Sequence, residues 1–520
     1  VSEFALNPEL LRNARIQLRP GRAIAAAVIC AAISLTAWSY SSYNSTEGST
    51  GLLRLTLQLQ VLVLLLGGGI ACLQSVHREK ELNTFDYQRV TRLTSLELAL
   101  GKLFGAPILT YFVVLCLIPL AIFAAVLGRV GTLLVVEAYI VLLLGCIAYH
   151  SLALLASMVL GRGGTAMVIF GFLILVALTS GDTGRGESNW LLGQFSPFAA
   201  ASFSIWSPGM PPWRDMFFGR TIWHFATLLV LYATFTGWFL LGIKRNLKRD
   251  PATYEIYSPL QGFCFAIYLN ILLLGFFNWQ SSPGAAFLND SRVPKGQAGL
   301  PATSIEQSLL LSSAWIFLAL GILLLRNRER ARRRVHALSE SAAGWWASVW
   351  PTPYVLGGII LAGLAIIELI RIYRQPGQDW SYARALFEVA FCAAWVARDV
   401  LYLQWMNLRR PRRPLVSAFL YLAIFYTCAG IMFTVTERVM SERAIALSAL
   451  VVPSQLLPRI VEMWPANHGL LVGILVSLAA EAFGFAFLQR KKLREFLAPA
   501  ISAPAPTAKH SHDTTILSSS

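Results

Sequence analysis

The chain has 520 residues, 56% of them hydrophobic and 13% charged, with a formal net charge of +16. That balance lies outside the range of soluble globular domains. The basic residues gather in every second segment between long apolar runs, which excludes a nucleic-acid surface as the source of the charge.

The first predicted element is a helix opened by Asn7-Pro8-Glu9, where Asn caps free amides, Pro suits the first turn and Glu complements the helix dipole. It places Arg12, Arg15, Arg19 and Arg22 on one stripe beside Leu11, Ala14 and Leu18. That pattern suits an amphipathic helix lying in the membrane interface over residues 1–22, with Pro20-Gly21 turning the chain into the bilayer.

Twelve apolar runs then read as membrane-spanning helices, near 23–40, 55–76, 104–127, 132–160, 165–180, 221–243, 260–277, 305–325, 353–370, 385–406, 415–435 and 469–488. With the N-terminus inside, 29 Lys and Arg fall on the cytoplasmic side, 13 outside and one, Arg398, within a span. Both termini are therefore predicted to be cytoplasmic, and the excess charge records topology and contact with anionic lipid headgroups. The predicted fold class is an all-α polytopic membrane protein of twelve spans.

Between spans two and three the chain turns polar: His77-Arg-Glu-Lys-Glu-Leu-Asn-Thr-Phe-Asp-Tyr-Gln-Arg89. Its charges alternate with Leu82, Phe85 and Tyr87, as in a short in-plane helix. Thr94-Ser-Leu-Glu97 fits a capping box, so a second helix is predicted to start there and run towards the third span. Further on, residues 181–220 face outside and hold an apolar stretch broken by Pro197, predicted to form re-entrant or interfacial helices. Residues 444–457, broken by Pro453, are predicted to lie outside in the same way, being too short to span. Residues 496–520, rich in Ala, Pro, Ser and Thr, read as a disordered tail.

No phosphate-binding G-x-x-x-x-G-K-[ST] occurs, and no cytoplasmic segment is long enough for a nucleotide-hydrolysing domain. No catalytic residue is assigned, nor any metal site: the histidines are scattered, and the seven cysteines lie in or beside apolar runs as small hydrophobes. Among ionisable groups within spans, Glu368 has Arg371 one turn away and Arg398-Asp399 can pair locally. Glu481 is the foremost intramembrane candidate, ahead of His150 and His224.

Residues 7–22, the charged segment Arg78-Glu-Lys-Glu-Leu-Asn-Thr-Phe-Asp86 with Leu93-Thr-Ser-Leu-Glu-Leu-Ala-Leu-Gly-Lys-Leu103, and Phe195-Ser-Pro-Phe198 together resemble permease subunits of the ABC type-2 exporter family. The resemblance covers roughly residues 5–250 and implies a six-span permease core over 23–250. It implies a coupling helix on which a separate ATP-binding cassette subunit docks, with Glu79, Glu81, Asp86, Arg89 and Arg92 facing that partner. It also implies an outer gate at Phe195, Pro197 and Phe198, and a second permease copy as a further partner. ATP and Mg would sit on the partner, and no cofactor on this chain. The bacterial inner membrane is the expected location. Residues 251–495 depart from the pattern by adding a six-span module without a second coupling segment. Two other readings stand beside this one: a secondary transporter, which needs converging charges inside the membrane, and a non-transporting membrane scaffold.

Overall fold

The computed structural model describes residues 7–43, 46–82, 84, 92–159, 214–248, 255–277, 302–326, 331, 349–373, 381–409, 421–422, 424–425, 428, 464 and 468–497. The chain divides into two compact units, Val1–Ala286 and Phe287–Ser520. The first unit thus reaches past residue 250, the expected end of the six-span core.

Eight helices among the described residues are long and apolar enough to cross a membrane: Pro20–Ser39, Ser49–Glu81, Ile108–Leu127, Thr132–Met158, His224–Asn246, Glu306–Leu323, Thr352–Ile372 and Leu471–Glu495. Their outer faces are oily. Val28, Leu35, Val126, Leu133, Phe483 and Phe487 are each 61–70% exposed, a surface that water would penalise and lipid accepts. The protein is a helical polytopic membrane protein. These eight coincide with eight of the twelve predicted runs. A ninth is the 17-residue apolar helix Pro259–Gly275, and a tenth is Tyr382–Arg409, long but charged. The run at 165–180 lies outside the described residues, as does most of that at 415–435.

In the first unit, α1 spans Pro8–Gln17 and α2 Pro20–Tyr43. The Asn7 side chain accepts the Glu9 amide at 3.0 Å, as its position before Pro8 predicts. One stripe from Arg12 to Arg22 is not formed. Pro20 has no amide to continue a helix, so α1 stops at Gln17, Arg19 sits in the break and Arg22 begins α2. The second span comprises α3 (Thr46–Leu62), a π-helical segment (Val63–Gly68) and α4 (Gly69–Glu81). There follow α5 (Ser95–Gly105), α6 (Ile108–Leu127) and α7 (Thr132–Val159).

The second span and α7 run side by side in the same direction. Tyr139 donates to Gln60 near one end, His150 meets Leu64 in the middle, and Lys80 donates to the Met158 carbonyl at the other. Helix α8 (His224–Asn246) is also parallel to α7, since Leu228 packs with Val141 and Gly242 abuts Leu155. Before α8, strands β1 (Arg214–Phe217) and β2 (Arg220–Trp223) form an antiparallel hairpin, which departs from an all-α chain. Its two-residue turn, Phe218-Gly219, has both φ angles positive, at 46° and 71°, the hand that matches strand twist. The Phe218 amide donates to Gly275 at the end of α9 (Pro259–Gly275), which lies antiparallel to α8 through Trp238, Phe265 and Tyr268.

In the second unit, α10 (Ala302–Leu323), α12 (Tyr382–Arg409) and α13 (His468–Leu497) run parallel, and α11 (Thr352–Tyr373) runs against them. Gln404 and Asn407 donate to the Arg326 carbonyl after the end of α10, Gln489 to the Trp350 carbonyl just before α11. Helix α12 is buried along nearly its whole length, so its charged residues are forced to find partners inside the unit.

Candidate functional site

Helix α5 begins as its capping box predicts. The Thr94 hydroxyl accepts the Glu97 amide at 3.2 Å, and the Glu97 carboxylate takes the Thr94 amide at 2.7 Å. The Thr94 amide, then its hydroxyl, holds the Glu97 carboxyl below the usual range, with Lys248 adding a smaller pull. The sign follows from linkage: this contribution is present above the ordinary carboxylate pKa and is lost as pH falls through the lowered one. Thr94→Ala is expected to lower the thermal midpoint at neutral pH and to flatten its decline in acid; a midpoint series against pH reads both.

From this start α5 turns Leu98, Ala99 and Leu103 inward, and Lys102, one turn after Leu98, points the same way. Lys102 is 1% exposed. Its ammonium binds the Glu79 carboxylate and lies 3.4 Å from Glu9 Oε1. Arg12 Nη2 lies 2.8 Å from Glu9 Oε1 and 2.8 Å from Glu79 Oε1, closing a ring of alternating charge. Two cations and two carboxylates leave the ring neutral, which is how buried charges are retained. Three elements supply it: α1, the end of α4 and α5.

Side-chain amides tie α1 to the backbone of α5 along its length. Asn7 donates to the Glu97 carbonyl and Gln17 to that of Ala106, the latter at 2.7 Å. Gly101 lets the helices touch, because a Cβ there would stand 2.7 Å from Glu9 Cβ. Below the ring, Cys72, Val76, Leu98, Leu103, Leu154, Met158 and Ile243 pack into one core, tying α5 to α4, α7 and α8.

The residues expected to face a partner divide accordingly. Glu79 does not face outward: Lys102 and Arg12 draw it into the buried ring, because α5 folds back over the end of α4. Glu81 is exposed and lies 3.3 Å from His77 one turn earlier, and Arg92 is exposed. Asp86 and Arg89 lie outside the described residues, as do Phe195, Pro197 and Phe198. The four arginines expected to face headgroups, Arg12, Arg15, Arg19 and Arg22, are all exposed, and Arg12 also reaches Glu9 and Glu79 in the ring. Family models, curated proteins and solved structures give no match to this chain. The likeness to type-2 permeases therefore rests on the residues that carry it.

Two further polar centres are assembled by tertiary packing, the first of them on His150, one of the intramembrane candidates of the sequence. In the second span the Leu64 carbonyl, inside the π-helical turn, is met by His150 Nε2 at 2.8 Å. Nε2 must donate there, so Nδ1 accepts the Tyr111 hydroxyl at 2.9 Å. In the second unit, Arg384 lies between Glu306 and Glu388, at 3.5 and 3.7 Å, all three buried. Their burial follows from the packing of α10 on α12. Further along α12, Arg398 pairs with Asp399 at 2.9 Å, and Glu481 lies 3.4 Å from it on α13. Glu481 is thus a partnered, half-exposed carboxylate. Among the described residues no group of three or more His, Cys, Asp and Glu could hold a metal.

Proposed function

We propose that the chain is the membrane permease subunit of an ATP-binding-cassette exporter, driven by a separate ATP-binding subunit that docks on the segment between the second and third spans. The observation that carries this reading is the neutral ring of Glu9, Arg12, Glu79 and Lys102. It makes α1, the end of the second span and α5 a single mechanical body. A push on the residues between α4 and α5 would reach α6 within a few residues of the end of α5, and so tilt the third span. ATP and Mg belong to the partner in this reading, and a second permease copy completes the assembly. Twelve spans, both termini in the cytoplasm and a bacterial inner membrane accompany it. The parallel course of α7 and α8 supports the span count, because a crossing at 165–180 would return the chain between them.

Detergent-solubilised full-length protein is expected to retain an ATP-binding subunit. Reversing the exposed charges, Glu81→Lys with Arg92→Glu, is expected to reduce the retained subunit roughly tenfold, since charges at the rim of an interface set encounter and register. If no ATP-binding subunit is ever retained and charge reversal leaves assembly and transport intact, the exporter reading fails.

The clusters around Arg384 and Arg398 favour a second reading, that of an ion-coupled secondary transporter, because charges converge within predicted spans. Under it, Glu388→Gln or Glu481→Gln abolishes transport and an ATP-binding partner is dispensable.

A further inference from the structure

We infer that the cavity between α1 and the end of the second span holds the phosphate headgroup of an anionic phospholipid as a resident ligand. This inference needs only the membrane location of the chain, not the identity of its power source. The cavity has a volume of about 450 Å³ and is lined by Arg12, Arg22, Arg78 and Lys102, within the range of small-ligand pockets. Glu9 and Glu79 also line it, and the ring consumes their charge by pairing them with Lys102 and Arg12. Arg22 and Arg78 are the excess. Both are exposed, and neither is ion-paired to a carboxylate among the described residues. Two guanidiniums over a neutral floor match a phosphodiester, which takes forked hydrogen bonds from arginine.

A free phosphate would satisfy the same guanidiniums, but two features select a lipid. The cavity wall is partly apolar: Ile16 and Leu82 line it and are 46% and 62% exposed. Arg22 lies at the start of α2, whose spanning stretch is only 6% buried within the protein. An acyl chain leaving the cavity along α2 therefore enters lipid without crossing protein. The bound phosphate would tie the start of the first span to the end of the second, adding a ligand to a junction already braced by the ring.

The test uses purified full-length protein in neutral detergent, with thermal midpoint and native mass spectrometry as readouts. Phosphatidylglycerol is expected to raise the midpoint by several degrees and to remain bound, whereas phosphatidylcholine and inorganic phosphate do neither. The Arg22→Gln/Arg78→Gln pair is expected to weaken phosphatidylglycerol binding roughly tenfold or more, and Arg22→Lys/Arg78→Lys to recover part of it. Both arginines are exposed, so these variants fold, and size exclusion checks that they do. Arg15→Gln/Arg19→Gln alters exposed arginines outside the cavity and is expected to leave binding unchanged. Equal loss in that control would mean diffuse surface charge and overturn the site. A midpoint shift by inorganic phosphate equal to that by lipid would overturn the lipid assignment, as would equal retention of phosphatidylcholine.

Discussion

Lys102→Met is expected to destabilise the first unit by about 3–5 kcal/mol, the cost of breaking a buried ion pair by removing one member. The substitution keeps the volume and apolar stem of a side chain that is 1% exposed. It strands Glu79 and Glu9 with Arg12 as their shared cation, so the ring passes from neutral to net negative around two buried carboxylates. The thermal midpoint in detergent measures the effect, and Glu79→Gln placed in the same chain separates charge from packing. With Glu79 neutralised, Arg12 and Glu9 balance again, so the double variant is expected to be more stable than Lys102→Met alone. An unchanged midpoint in Lys102→Met would remove the ring as a structural brace. If the exporter reading is right, the double variant still couples poorly, because neutral side chains restore charge balance without restoring the link between α4 and α5.

The second large effect is expected at Gly68→Ala, in the π-helical turn of the second span. A Cβ at this position would stand 2.2 Å from His150 Nε2 and 2.5 Å from Cε1, so the ring must leave its place. When it leaves, the Leu64 carbonyl loses its partner and so does the Tyr111 hydroxyl. Overpacking of this kind costs about 1–3 kcal/mol, and an orphaned buried carbonyl is worth a similar amount, about 1–3 kcal/mol. His150→Ala alone is expected to incur the second loss without the first. The double variant Gly68→Ala/His150→Ala is therefore expected to be less destabilised than the sum of the singles, since the methyl finds room where the ring stood. Additive losses in a thermal double-mutant cycle would mean that Gly68 and His150 do not compete for one space.

These two sites show where sequence reading succeeds and where it stops. The caps at Asn7 and Thr94 were legible because each is made by residues two or three positions apart, and a short polar side chain can reach only those amides. The spans were legible because hydrophobic length is a sum over one segment. Lys102 left a faint trace, a charge at the inward-facing position one turn after Leu98. Its meaning was hidden because its partners lie 23 and 93 residues away in the chain. The hairpin at 214–223 was missed for a local reason: Phe218 is bulky and rarely takes a positive φ, so Phe218-Gly219 does not look like a hairpin turn.

Composition, run length and the alternation of basic segments determined on their own that this chain is a helical membrane protein, because partition into lipid depends on each segment's own side chains. Tertiary structure alone decided which charges are buried and with whom. Glu79, expected to face a partner, is buried against Lys102 and Arg12; Arg384 and Glu306, far apart in the chain, meet where α10 packs on α12. The energy of a charge depends on its distance in space from other charges and on the water excluded around it, and neither quantity is a property of neighbours in sequence.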